Sequence, residues 1–302
     1  MPFFTHDRLR FHYLDSGAGR PFFWQHGLGG NAHLACELFK PPPGFRLLAL
    51  DARGHGRTGS AGDPKAYSFR TFADDLRALM DHLRIPQAVV GGISMGAGVA
   101  LHLALHFPGR VFGLVLSRPA WLDAPHPWNV RLFTLVARLL REHGAKRGQE
   151  LFKQTEEYRE TLRQWPDTAN SLALQFSVPG AEASVAKLEA FAHDVPSADR
   201  REWAGIRVPT LVLANRLDPV HPFEFGEELA RDIPGAAFQE ITSKSVSVIQ
   251  HGRDVQRHLE AFLRRHFAGP SAPSQAPSPL PTNPVAADVS PLHLPGREIR
   301  AD

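Results

Sequence analysis

The chain has 302 residues, of which 43% are hydrophobic, 22% charged and 9% aromatic, with a formal net charge of +3. These proportions exclude a collagen-like chain, a coiled coil and a wholly disordered chain. One cysteine, Cys36, allows no intramolecular disulfide and reads as a small hydrophobe, and no apolar run approaches the ~20 residues of a membrane span.

Alternating strand and helix signals run through most of the chain. Leu9–Tyr13 reads as a short strand followed by a turn at Asp15-Ser16-Gly17. Pro21–Gln25 is a short apolar run that ends at His26-Gly27, and Phe45–Asp51 is another that ends in the loop Ala52–Gly59. Ser68 is placed as an N-cap, because Phe69, Phe72, Leu76, Leu79 and Leu83 then recur at helical steps. Ala88–Ile93 and Val111–Ser117 are apolar strands on either side of a helix, Met95–Phe107, stopped by Pro108-Gly109. Continuous apolar strands separated by helices predict an α/β fold with a mostly parallel sheet covered on both faces.

The rhythm changes at about Arg118. From 118 to 205 the pattern is helical, with amphipathic stretches at Leu132–Leu140 and Leu151–Leu162. Val208–Ala214 returns as a strand, Ala236–Ile241 is a weaker one, and Val255–Phe267 is a final amphipathic helix. The expected organisation is a core formed by 1–117 and 206–268, with 118–205 as a helical cap inserted between two strands. Residues 269–302 carry eight prolines and almost no periodicity, so they are expected to be a disordered Pro-rich tail.

The sharpest chemical signal is Gly92-Ile93-Ser94-Met95-Gly96, set between a predicted strand and a predicted helix. A nucleophile on such a turn needs glycine two residues before and two after it, because larger side chains would clash there. The helix start also favours developing negative charge. His26-Gly27-Leu28-Gly29-Gly30 follows a strand and allows a backbone N–H to approach a reacting carbonyl. The amides of Leu28 and Met95 are therefore the candidate oxyanion donors. His26 itself is read as a histidine that orients its loop.

With these motifs on the page, the chain resembles the α/β-hydrolase superfamily. The match runs through His26-Gly27, the Asp51–Thr58 loop, the Gly92–Gly96 elbow and the Asp218-Pro219 loop, and spans about residues 3–267. It is similar to small esterases, lactonases and cofactor-free haloperoxidases. The resemblance implies the α/β-hydrolase fold, an architectural Asp51–Thr58 loop, and a catalytic triad of Ser94, Asp218 and His251 in the chain order Ser, acid, His. Asp123 is the rival acid. Relatives carry a Gly-His pair after the last strand, and this chain has no such pair after Asp218. His251 precedes the predicted final helix and is taken as the base, ahead of His258 inside that helix and His221, read as a loop or entrance residue.

His102 and His106 are four residues apart but lack the glutamate of H-E-x-x-H, so no metal is expected. There is no P-loop or dinucleotide fingerprint, and no cofactor is expected. No cluster of cations marks an anionic site, and a charge of +3 without a Lys/Arg block predicts no nucleic-acid partner. The N-terminal stretch lacks the apolar run of a signal peptide, which points to a cytoplasmic protein without membrane attachment. Trp121 is the expected pocket wall. The activity implied is hydrolysis of a small ester, lactone or thioester through an acyl-enzyme. Perhydrolysis, C–C cleavage and acyl transfer use the same scaffold, and a slow-turnover small-molecule sensor with a protein partner is the reading from another class.

Overall fold

The computed structural model describes residues 2–268 apart from 61, 126 and 179. The expected Pro-rich tail, 269–302, lies outside the described residues. The described chain builds one eight-stranded sheet in the order β1-β2-β4-β3-β5-β6-β7-β8. The strands are β1 (Phe3–His6), β2 (Leu9–Gly17), β3 (Arg20–Gln25), β4 (Phe45–Leu50), β5 (Ala88–Ile93), β6 (Val111–Ser117), β7 (Thr210–Ala214) and β8 (Ala237–Glu240). Pairs β1·β2 and β2·β4 are antiparallel, and every later pair is parallel.

The central strands are apolar because both of their faces are covered. All residues of β7 are buried, as are those of β5 up to Gly92. One face packs under α2 (Phe69–His82) and α3 (Met95–His106), in a core that includes Phe69, Phe72, Leu76, Leu79 and Leu103. The other face packs under α1 (His33–Leu38) and α9 (Val248–Phe267), around Phe22, Trp24, Val115, Leu259 and Leu263. Full burial of one such side chain is worth about 1.5–3 kcal/mol. The predicted cap of α2 is present, with Ser68 Oγ accepting from Thr71 N at 3.1 Å.

Between β6 and β7 the chain is helical. It forms α4 (Arg131–Gln154), α5 (Glu156–Gln164), α6 (Pro166–Leu174) and α7 (Val185–His193), and α8 (Phe223–Asp232) follows β7. The stretch Leu151–Leu162, read as one amphipathic run, is broken where Thr155 ends α4 and caps α5 by accepting from Tyr158 N.

Two other boundaries differ from the sequence reading. Asp15-Ser16-Gly17 is not a turn but the end of β2, held by register against Leu48, Leu47 and Arg46 of β4. Asp15 also takes a two-point ion pair from Arg46. α9 begins at Val248, seven residues before the predicted Val255, because Ser247 caps it by accepting from Gln250 N.

A buried ion pair fixes the loop after β4 onto α2. Arg53 Nε and Nη2 donate to the two oxygens of Asp75 at 2.6 and 2.7 Å, and both side chains are buried. Removing the Asp75 carboxylate leaves the buried guanidinium only the exposed Asp7, which Nη1 reaches at 2.8 Å. Asp75→Ala should therefore cost about 3–5 kcal/mol of unfolding free energy. Urea denaturation checks this, and a loss below about 1 kcal/mol would show that the pair is not holding the loop.

Candidate active site

Ser94 joins β5 to α3 with φ 58° and ψ −118°, a backbone state outside the populated regions for a non-glycine residue. Holding it costs on the order of 1–3 kcal/mol and requires over-determination by the surroundings. Those surroundings are close. A Cβ on Gly96 would overlap the carbonyl oxygen of Gln25 at the end of β3, and one on Gly92 would overlap the backbone of Gly96. Ser94 N donates to Ser117 O at 3.0 Å, which ties the turn to the end of β6.

The loop after β3 lies against this turn. A Cβ on Gly27 would stand 3.2 Å from the Ser94 Cβ. His26 braces the loop, with Nδ1–H donating to Gly27 O at 2.8 Å and Nε2 accepting from Ala52 N at 3.1 Å. Asp51 ties the same loop to the one after β4, accepting from Ala32 N and Arg57 N and from His12 Nδ1. Both assignments match the architectural reading of these residues. Leu28 directly follows Gly27, and Met95 opens α3 beside Ser94.

Asp218 lies after β7 and is buried, but its partners are not those expected. Its Oδ2 accepts from Arg118 Nε at 3.0 Å and Nη2 at 2.5 Å. Its two oxygens accept from His221 Nδ1 at 3.0 and 2.9 Å. Burial alone would raise the Asp218 carboxyl, but Arg118 and His221 hold it far below the usual carboxylate range. Arg118 reaches it from the residue after β6, with a left-handed backbone at φ 46° and its N–H on Leu213 O.

His251 is not in a loop before the last helix; it sits in the first turn of α9, where Ser247 starts that helix earlier than the apolar pattern suggests. Its Nδ1–H donates to Thr242 O at 2.8 Å, and its buried Nε2 has no protein partner. Burial, with the nearby Arg118 charge, pushes its pKa down to about 4. Asp218 and His251 are not hydrogen-bonded, nor does Ser94 Oγ bond either histidine among the described residues. His221 carries the same kind of free, buried Nε2 as His251. Sequence reasoning placed His221 at an entrance and missed its pairing, although an i,i+3 step from an acid was visible.

Trp121, the expected pocket wall, is a buried side chain. It is buried against Phe69 and Phe191, and its indole N–H donates to Phe191 O at 2.7 Å, so it joins α2 to α7. The rival acid Asp123 pairs with Arg200 at 3.2 Å. His102 and His106 lie side by side on one face of α3 with their rings tilted by 46°, and His102 Nδ1–H donates to Pro196 O. Among the described residues no helix is long and apolar enough to cross a membrane.

A family model described as the alpha/beta hydrolase fold matches residues 20–252. The chain belongs to the α/β-hydrolase family. Among curated proteins, it is 32% identical over 241 residues to the AB hydrolase superfamily protein YisY of Bacillus subtilis, covering 76% of this chain and 85% of that protein. It is 28% identical to 3-oxoadipate enol-lactonase 2 of Acinetobacter baylyi, covering 73% and 79%. Among solved structures, the enol-lactonase from Burkholderia xenovorans superposes with a TM-score of 0.63 at 23% identity, over 87% of this chain and 99% of that one, and shares its fold.

This α/β-hydrolase keeps several buried imidazoles neutral. Burial pushes His26 to about 4, as it does His251, and drives His55 well below its ordinary value. The unfolded chain regains ordinary histidines near 6.5 and binds more protons below that pH, so this share of stability is present above pH 6.5 and is lost as pH falls towards 4. His26 and His251 together should remove about 3–4 kcal/mol between pH 7 and pH 5. Urea midpoints at the two pH values measure this, and equal midpoints would contradict it.

Proposed function

We propose that this hydrolase opens a small carboxylic ester, lactone or thioester through an acyl-enzyme on Ser94. The observation that carries the reading is the Ser94 backbone, held at φ 58° between two glycines that tolerate no side chain. A strained, over-determined turn of this kind presents an Oγ at the sheet edge. Ser94 Oγ attacks the carbonyl carbon and passes its proton to Nε2 of His251. The Thr242 carbonyl holds the His251 tautomer that leaves Nε2 as the acceptor. The oxyanion collects between the amide N–H groups of Leu28 and Met95. The leaving alcohol or thiol takes the proton from His251, and a water then attacks the acyl-enzyme through the same base. Asp218 in this reading contributes negative charge close to the imidazole and anchors Arg118. The names of the relatives, an enol-lactonase among them, support a small carbonyl substrate.

A second reading moves the base to His221, and one observation favours it: the Asp218 carboxylate grips the His221 ring and not that of His251. A carboxylate on Nδ1–H is the orienting contact of the Ser-His-Asp arrangement.

The test is intact mass and turnover on an ester panel after exposure to a fluorophosphonate probe. Wild type should take one adduct, and Ser94→Ala should take none and lose roughly 10³-fold or more in kcat. His251→Ala should slow labelling strongly while His221→Ala keeps most of it; the reverse pattern selects the second reading. An unlabelled wild type that is folded would overturn the nucleophile assignment.

A further inference from the structure

The helices between β6 and β7 carry a groove of about 670 Å3. Val130, Leu132 and Leu135 give it an apolar lining, completed by Glu157 of α5 and Ala192 of α7. Small-molecule sites have this size and this mixture of apolar walls with a few polar groups. Trp128, in the short turn before α4, also lines the groove and is 61% exposed. An indole left in water there offers a flat apolar face that an aromatic ring covers favourably. The neighbouring Asn129 fixes this segment, its Nδ2 donating to Val220 O at 2.6 Å and to Ala120 O at 3.0 Å. That end of the groove is therefore ordered before any ligand arrives, which lowers the cost of binding.

The charges in the groove are distinctive. Arg131 and Arg138 both line it and both are exposed. They share one face of α4, about 10.5 Å apart along the helix axis, with Leu135 between them. Every other arginine from 118 to 205 pairs with a carboxylate. These two have no such partner among the described residues. Glu157 opposes them, and two guanidinium groups against one carboxylate leave the lining positive. Guanidinium groups grip a carboxylate through paired N–H donors. A small inorganic anion would leave the apolar lining and the indole in water, and a neutral aromatic would leave the arginines unpaired.

We propose that this groove binds a small aromatic carboxylate, its ring lying against Trp128 and Leu135 and its carboxylate accepting from Arg131 and Arg138. The site is read by binding and does not rest on the Ser94 chemistry.

Calorimetric titration of the full chain with phenylbutyrate, phenylbutanol, phenylbutylamine and butyrate tests it. Phenylbutyrate should bind saturably. Phenylbutanol lacks the charge, phenylbutylamine reverses it and butyrate lacks the ring, and each should bind about tenfold or more weakly. Trp128→Ala, and Arg131→Gln combined with Arg138→Gln, should each weaken phenylbutyrate by a similar factor, whereas binding at the Ser94 site would survive both. In wild-type protein carrying fluorotryptophan, phenylbutyrate should shift the fluorine resonance of Trp128, assigned with Trp128→Phe, which decides the matter even if the arginine variant does not fold. Absence of phenylbutyrate binding, equal binding of any of the other three compounds, full affinity in either folded variant, or an unmoved Trp128 resonance would each overturn the proposal.

Discussion

The close approach of three strand ends governs this molecule. Gly96 at the start of α3 lies on the carbonyl of Gln25 at the end of β3, and Ser94 N reaches Ser117 O at the end of β6. A backbone turn at φ 58° is unfavourable by itself, and only those neighbours hold it. The parallel register of β3, β5 and β6 brings the three ends level, so the sheet pays for the strain of the site. The two apolar cores on either face keep that register fixed, since slipping a strand buried on both faces would unpack both.

Around this rigid edge the charges are unevenly distributed. On one side Arg118, Asp218 and His221 form a closed cluster in which each charge is answered. Elsewhere, the buried Lys187 ammonium has the carbonyl of Gly54 as its partner and no carboxylate among the described residues. Charges taken out of water are tolerated structurally when paired and are expensive when not. The paired cluster holds Asp218 and His221 in place after β7.

Much of the fold was legible in the chain because buried strands and amphipathic helices announce themselves by composition and period. The strands from β3 to β7, the helix α2 with its Ser68 cap, and the turn at Ser94 were all readable. What escaped was short, marginal or conformational. β1 is a four-residue edge strand and α1 six residues long, too brief to show a period. The Asp15-Ser16-Gly17 segment has turn residues, yet pairing with β4 overrides that preference. At the site, position was readable and partnership was not. Nothing in the spacing of Asp218 says that Arg118, a hundred residues earlier, will occupy it. His251 looked like a loop residue because its helix opens with Val248-Ile249-Gln250, residues that carry the start of α9 on its exposed side. Lys187 stands alone in sequence, and only burial gives it meaning.

The end of β6 does more than support the turn at Ser94. Ser117 accepts from the amide of Ser94, and the next residue, Arg118, donates its own amide to Leu213 and its guanidinium to Asp218. Two consecutive residues thus act as a common rail for the Ser94 turn and for the loop after β7. A displacement of that rail would move both together, preserving their mutual spacing while changing their distance to everything above them. The helices between β6 and β7 can then be reshaped without uncoupling the Ser94 turn from the loop after β7.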